Sequence, residues 1–116
     1  MTQHASLTPE RWSQFSFEQQ ILTIAAEMER AALRMARRDL VSVSNCYERV
    51  LRLVDLTIAC ANGRGRRREL LLWRDLIAAL YIAPEPDPNA HSDAFRCLLY
   101  FTPTSARQIP FVTLQG

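Results

Sequence analysis

Between residues 43 and 61 apolar side chains recur at helical spacing while charged ones keep to the other side, and this stretch restricts the fold more than any other. Winding at about 100° per residue spreads Cys46, Tyr47, Val50, Leu51, Leu53, Val54, Ile58 and Ala61 over nearly half the circumference, with Glu48, Arg52 and Asp55 opposite. A stripe that broad exceeds the seam of a two-stranded coil and needs at least two neighbouring helices.

The rest of the chain offers those neighbours. Thr8 before Pro9 and Glu10 has the pattern of an N-cap with proline at the first helical position and predicts a short turn through Trp12. Ser16 with Gln19 forms a capping-box pattern and opens a helix to about Arg38, striped by Phe17, Ile21, Ile24, Met28, Ala31 and Met35. A weaker second strip on this helix holds Leu22, Ala26 and Leu33. A third helix is predicted from about Arg66 to Ile82, with Leu70, Leu72, Trp73, Leu76, Ile77, Leu80 and Tyr81 on one broad face and Leu71, Ala78 and Ile82 nearly opposite. Ile24, Met28, Val50, Val54, Trp73, Leu76 and Leu80 are expected to share one core.

Proline then alternates with acid in Pro84-Glu85-Pro86-Asp87-Pro88, which stops the third helix and predicts a stiff spacer. Beyond it, residues 95–101 suit a short helix or a strand equally, and residues 103–116 read as a tail with an apolar patch at Ile109, Phe111 and Val112. The expected fold is all-α, an antiparallel bundle of three main helices plus a short fourth element and an extended tail. It forms one domain, with a core at 1–83, a linker at 84–91 and a short element with tail at 92–116. A chain of 116 residues, 48% of them hydrophobic, has the makeup of one such domain.

No apolar run approaches the roughly 18 residues of a membrane span, and the first residues lack the charged start and apolar core of a signal segment, so a cytoplasmic protein with no membrane partner is expected. Three cysteines without a C-x-x-C pair suggest neither a disulfide framework nor a zinc ribbon. Ser42, Ser44, Thr57 and Thr104 have no histidine nearby in sequence, and His4 and His91 fall in stretches read as irregular, so a serine or cysteine triad is not expected. No catalytic residue, metal ligand set or cofactor motif is therefore assigned.

Trp12, Phe17, Gln20, Ile24, Glu27, Arg30 and Ala31, then the run from Tyr47 to Leu51 with Leu53 to Thr57, then Glu69, Arg74 and Leu76, resemble a group of short all-helical prokaryotic proteins without an established activity. More distantly the layout is similar to the helical domains called HEPN, which accompany minimal nucleotidyltransferases in toxin and antitoxin pairs. Active members of that superfamily carry an arginine followed four to six residues later by a histidine, and no arginine stands so before His4 or His91. What the resemblance implies is the fold, a habit of dimerising and a partner such as a nucleotidyltransferase-like protein.

Three groups of side chains invite a functional reading. Glu48, Arg52 and Asp55 form a ladder that, facing Glu27 and Arg30 of the preceding helix, would make a polar groove, or else a set of surface ion pairs. Glu69, at a helix start, is explained by the helix dipole or, if buried, needs Arg49 or Arg74 as its partner. Arg64, Arg66, Arg67 and Arg68 gather at a helix N-terminus, where the dipole is already positive and an anion would relieve them. All fourteen basic residues are arginine, the residue that grips carboxylate or phosphate in a bidentate way. The function read from the chain is a homodimeric, non-enzymatic interaction or regulatory module, with Leu71, Ala78, Ile82, Leu22 and Leu33 as the interface. The alternatives are RNA binding through the Arg64–Arg68 loop, or a HEPN-like ribonuclease or toxin–antitoxin component.

Overall fold

The computed structural model describes residues 7–115, and His4 lies outside them. Every regular element among these residues is a helix: α1 (Pro9–Trp12), α2 (Phe17–Ala36), α3 (Leu40–Cys60), α4 (Arg64–Ile82), α5 (Pro88–Leu99), α6 (Pro103–Ala106) and α7 (Ile109–Gln115).

Local chemistry sets the boundaries. Thr8 Oγ1 accepts from the backbone N–H of Arg11 to open α1. At α2 the capping box is complete: Ser16 Oγ accepts from Gln19 N–H at 3.1 Å, and Gln19 Oε1 accepts from Ser16 N–H at 2.9 Å. The chain reverses after α2 with Arg38 at φ 57°, a left-handed conformation that costs a residue with a Cβ about 1–2 kcal/mol. Asp39 then caps α3 through Ser42 N–H at 3.2 Å. Gly63, at φ 91°, supplies the turn into α4, whose N-terminus has no side-chain cap. Asp87 caps α5 and Pro88 opens it, because a proline at the first helical position loses no hydrogen bond.

α3 packs against α2 and α4, α5 closes on the same two helices from the other side, and α1 rests on α3. The core holds Ile21, Ile24, Met28, Val50, Leu53, Val54, Leu70, Trp73, Ile77, Leu98 and Leu99. Two buried indoles tie elements together by their N–H groups: Trp12 donates to Thr57 Oγ1 at 2.9 Å and Trp73 to the Ala94 carbonyl at 2.8 Å.

The expected core face of α4 needs correction. Leu70, Trp73 and Ile77 are buried, but Leu72, Leu76 and Tyr81 are exposed and Leu80 only half-buried. α4 packs on α3 and α5, and the arc it turns to them is the narrow one of Leu70, Trp73 and Ile77. The segment 95–101, open between helix and strand, belongs to α5 and the turn after it. The predicted extended tail instead carries α6, which packs on α2 and α5, and α7, which packs on α5 and buries Val112.

Candidate functional site

The polar residues expected to share one groove lie on two flanks of α3. On the α2 flank, Glu27 is 2% exposed and receives two guanidinium groups: Arg30 Nη1 donates to Oε1 at 2.8 Å and Arg49 Nε to Oε2 at 2.6 Å. Arg49 Nη2 also donates to Cys46 Sγ at 3.3 Å. Burial works against the charge of Arg49, yet the Glu27 carboxylate outweighs it and holds the guanidinium above its usual range. Burial likewise pushes the Cys46 thiol up, against the opposing pull of Arg49, so this sulfur is a packed thiol rather than a nucleophile. The arrangement is a clamp that joins α2 to α3.

On the α4 flank, Tyr81 donates its hydroxyl to Glu48 Oε2 at 2.9 Å, and Arg74 Nε reaches Asp55 Oδ1 at 2.5 Å. Glu48, Arg52 and Asp55, with Pro9, Leu51 and Leu56, border an open groove of about 440 Å3. The hydrogen bond to Glu48 raises the Tyr81 phenol above its ordinary range, as the bond to Asp55 does the Arg74 guanidinium. Glu69 is exposed, and the two arginines considered for it are paired with Glu27 and Asp55.

The arginine cluster is helical rather than part of a loop. Arg64, Arg66, Arg67 and Arg68 occupy the opening turns of α4 and are all exposed. Arg66 lies over the ring of Phe17, 3.8 Å from guanidinium carbon to centroid, and Arg67 Nη2 donates to the Ala61 carbonyl at 3.3 Å. These contacts hold two of the four cations against α2 and the α3–α4 turn.

Of the apolar residues expected at an interface, Leu71 is 46% exposed and Ile82 79%, while Ala78 is half-buried. Leu22 and Leu33, also exposed, are on α2, which is linked to α4 through α3 and α5. Leu22 borders a small groove with Phe95, Leu99 and Phe111, so the C-terminal helices crowd its side of the molecule. The outer face of α4 is wider than expected, because Leu72, 59% exposed, and Leu76, 49% exposed, join Leu71 and Ile82.

His91 escaped the sequence reading. It sits on α5 at 1% exposure, where its Nε2 lies 2.8 Å from the Met28 carbonyl and its Nδ1 2.7 Å from the Tyr47 hydroxyl. A carbonyl only accepts, so Nε2 carries the proton, Nδ1 is the acceptor and Tyr47 donates. Burial lowers the imidazole's affinity for a second proton despite the Met28 carbonyl, and burial raises the Tyr47 phenol. Both ring nitrogens are thus engaged in joining α5 to α2 and α3.

Among the described residues no group of three or more His, Cys, Asp or Glu is placed to hold a metal ion, and no helix is long and apolar enough to cross a membrane. Comparison with protein families, with curated proteins and with solved structures finds no match for this chain.

Proposed function

We propose that this chain is an antiparallel helical bundle acting as an interaction module, and that it self-associates through the outer face of α4. Short connections between α2, α3, α4 and α5 support the antiparallel arrangement, since long helices joined by a few residues must double back. The observation that carries the functional reading is the run of Leu71, Leu72, Leu76 and Ile82, between 46% and 79% exposed, on a helix whose opposite arc is buried. Single exposed leucines are ordinary, but a contiguous apolar patch of a few hundred Å2 marks an interface or an aggregation hazard. A two-fold dimer is the commonest way to cover one.

Sedimentation of the full chain from low to high micromolar concentration tests the reading. Dimer formation that Leu72→Asp abolishes without loss of helix content is the expected result. A chain that stays monomeric at high micromolar concentration refutes it.

A second reading, binding of RNA by Arg64, Arg66, Arg67 and Arg68, is favoured by the exposure of all four at a helix start without a side-chain cap. Retention on RNA that weakens steeply with salt, and disappears when the four become Ser, would support it.

A further inference from the structure

Resting on the reading that α4 is the self-association surface, we infer that its partner is the α4 of a second copy, lying antiparallel about a two-fold axis between Leu71 and Leu72. Arg68, Leu71, Leu72, Asp75, Leu76 and Ala79 are all exposed, and at about 100° per residue they occupy one outward arc of the helix. Within it the charges are placed symmetrically about the leucines. Arg68 precedes Leu71 by three residues, and Asp75 follows Leu72 by three. Turning a second copy about an axis between the leucines therefore sets Arg68 of each chain opposite Asp75 of the other, twice in one interface, with Leu71 and Leu72 of both copies between them.

The two charges cannot satisfy each other within one chain. Seven residues apart on a helix rising about 1.5 Å per residue, they are separated by roughly 10 Å along the axis. Neither has an ion-pair partner among the described residues, whereas Arg74, the adjacent residue on the α3 side, is held by Asp55. The same register lays residues 64–79 of one helix along 79–64 of the other, so that Leu71 and Leu72 meet at the centre, Leu76 lies level with Arg67 of the second copy, and Ile82 extends past the overlap. A parallel pairing would bring Arg68 against Arg68 and Asp75 against Asp75, and an antiparallel register centred on either residue would set that residue against its own copy.

Charge reversal tests the register with side chains that are exposed in the monomer, so folding is not at stake. A carboxylate at position 68, in the second turn of α4, also suits the helix dipole better than the arginine does. Arg68→Glu alone sets two carboxylate pairs face to face, and Asp75→Arg alone sets two guanidinium pairs so. Each should weaken the dimer roughly a hundredfold, like charges across an interface being strongly disfavoured. The double variant restores opposite charges, as does an equimolar mixture of the two single variants, which should yield a heterodimer by sedimentation and by mixed-mass native spectrometry. If Leu72→Asp dissociates the dimer while neither reversal does, α4 remains the interface and the antiparallel register is overturned. If the parent dimerises and none of these variants disturbs it, another face carries the dimer and both readings fall, as they do if the parent is a monomer.

Discussion

The hydroxyl of Tyr47 and Nδ1 of His91, 44 residues apart in the chain, meet at 2.7 Å in the interior and join α3 to α5. In this direction the bond needs a neutral imidazole, since a protonated Nδ1 would itself donate and leave the Tyr47 hydrogen to find another acceptor in the interior. Burial depresses the proton affinity of this ring below its ordinary 6.5. The folded chain thus binds fewer protons than the unfolded one between those two values, and stability rises with pH there. His91's contribution is complete above about pH 7 and declines as pH falls below about 6.5 towards the depressed value, at no more than about 1.4 kcal/mol per pH unit. Urea unfolding at pH 7, 6 and 5 should show that decline in the parent and not in His91→Gln. Asp39, held low by its bonds to Ser42, acts only below about pH 4 and leaves this window clear.

Glu27 and its two arginines should respond unequally to truncation. Removing the buried carboxylate, as in Glu27→Ala, leaves Arg49 partly buried without its anion and should cost about 3 kcal/mol. Arg30 is more than half exposed, so Arg30→Ala should cost under about 1 kcal/mol. Chemical denaturation of the three single variants, including Arg49→Ala, and of the Glu27 and Arg49 pair together would show the coupling. Equal losses at Arg30 and Arg49 would contradict the burial.

Val54 and Leu76 make a paired test of the core. Val54 is fully buried, and an aspartate there should prevent folding by placing an unpaired charge in the interior. At a concentration below that of dimer formation, Leu76→Asp should keep the parent melting temperature within a few degrees, since the side chain is half in solvent. Circular dichroism melts decide it, and a Leu76→Asp chain that is unfolded at 25 °C would return Leu76 to the core.

Replacing Arg64, Arg66, Arg67 and Arg68 together by Ser should change stability by no more than about 1 kcal/mol, most of it from the stacking of Arg66 on Phe17. The melting temperature of the quadruple variant is the measurement. A larger loss would show that the cluster is structural, in which case RNA retention by the parent could not be ascribed to free cations at that helix start.

Legibility in the sequence followed the range of the interaction. The caps at Thr8 and Ser16 are formed within three residues, and the stripe of α3 repeats over its whole length, so both can be read from a short window. α4 is apolar almost all round, and periodicity could not say which arc faces inwards. Trp73 donates to Ala94, an element still to come in the chain, and that contact turns Leu76 outwards. Glu27 finds Arg49 at a separation of 22 residues and His91 finds Met28 at 63, beyond any local pattern. The ladder of Glu48 and Asp55 was visible, but its partners Tyr81 and Arg74 belong to the next helix. His91, just after an alternation of proline and acid, looked like part of a spacer because Pro88 can begin a helix as well as end one.

The two buried indoles divide the molecule for a spectroscopist. Trp12 is bonded to Thr57 where α1 meets α3, and Trp73 to Ala94 where α4 meets α5. They are the chain's only tryptophans. Trp12→Phe would leave an emission that follows undocking of α5, and Trp73→Phe one that follows release of α1. Comparing the two single-tryptophan proteins would therefore show whether the ends of this chain melt together or one before the other, with no label attached.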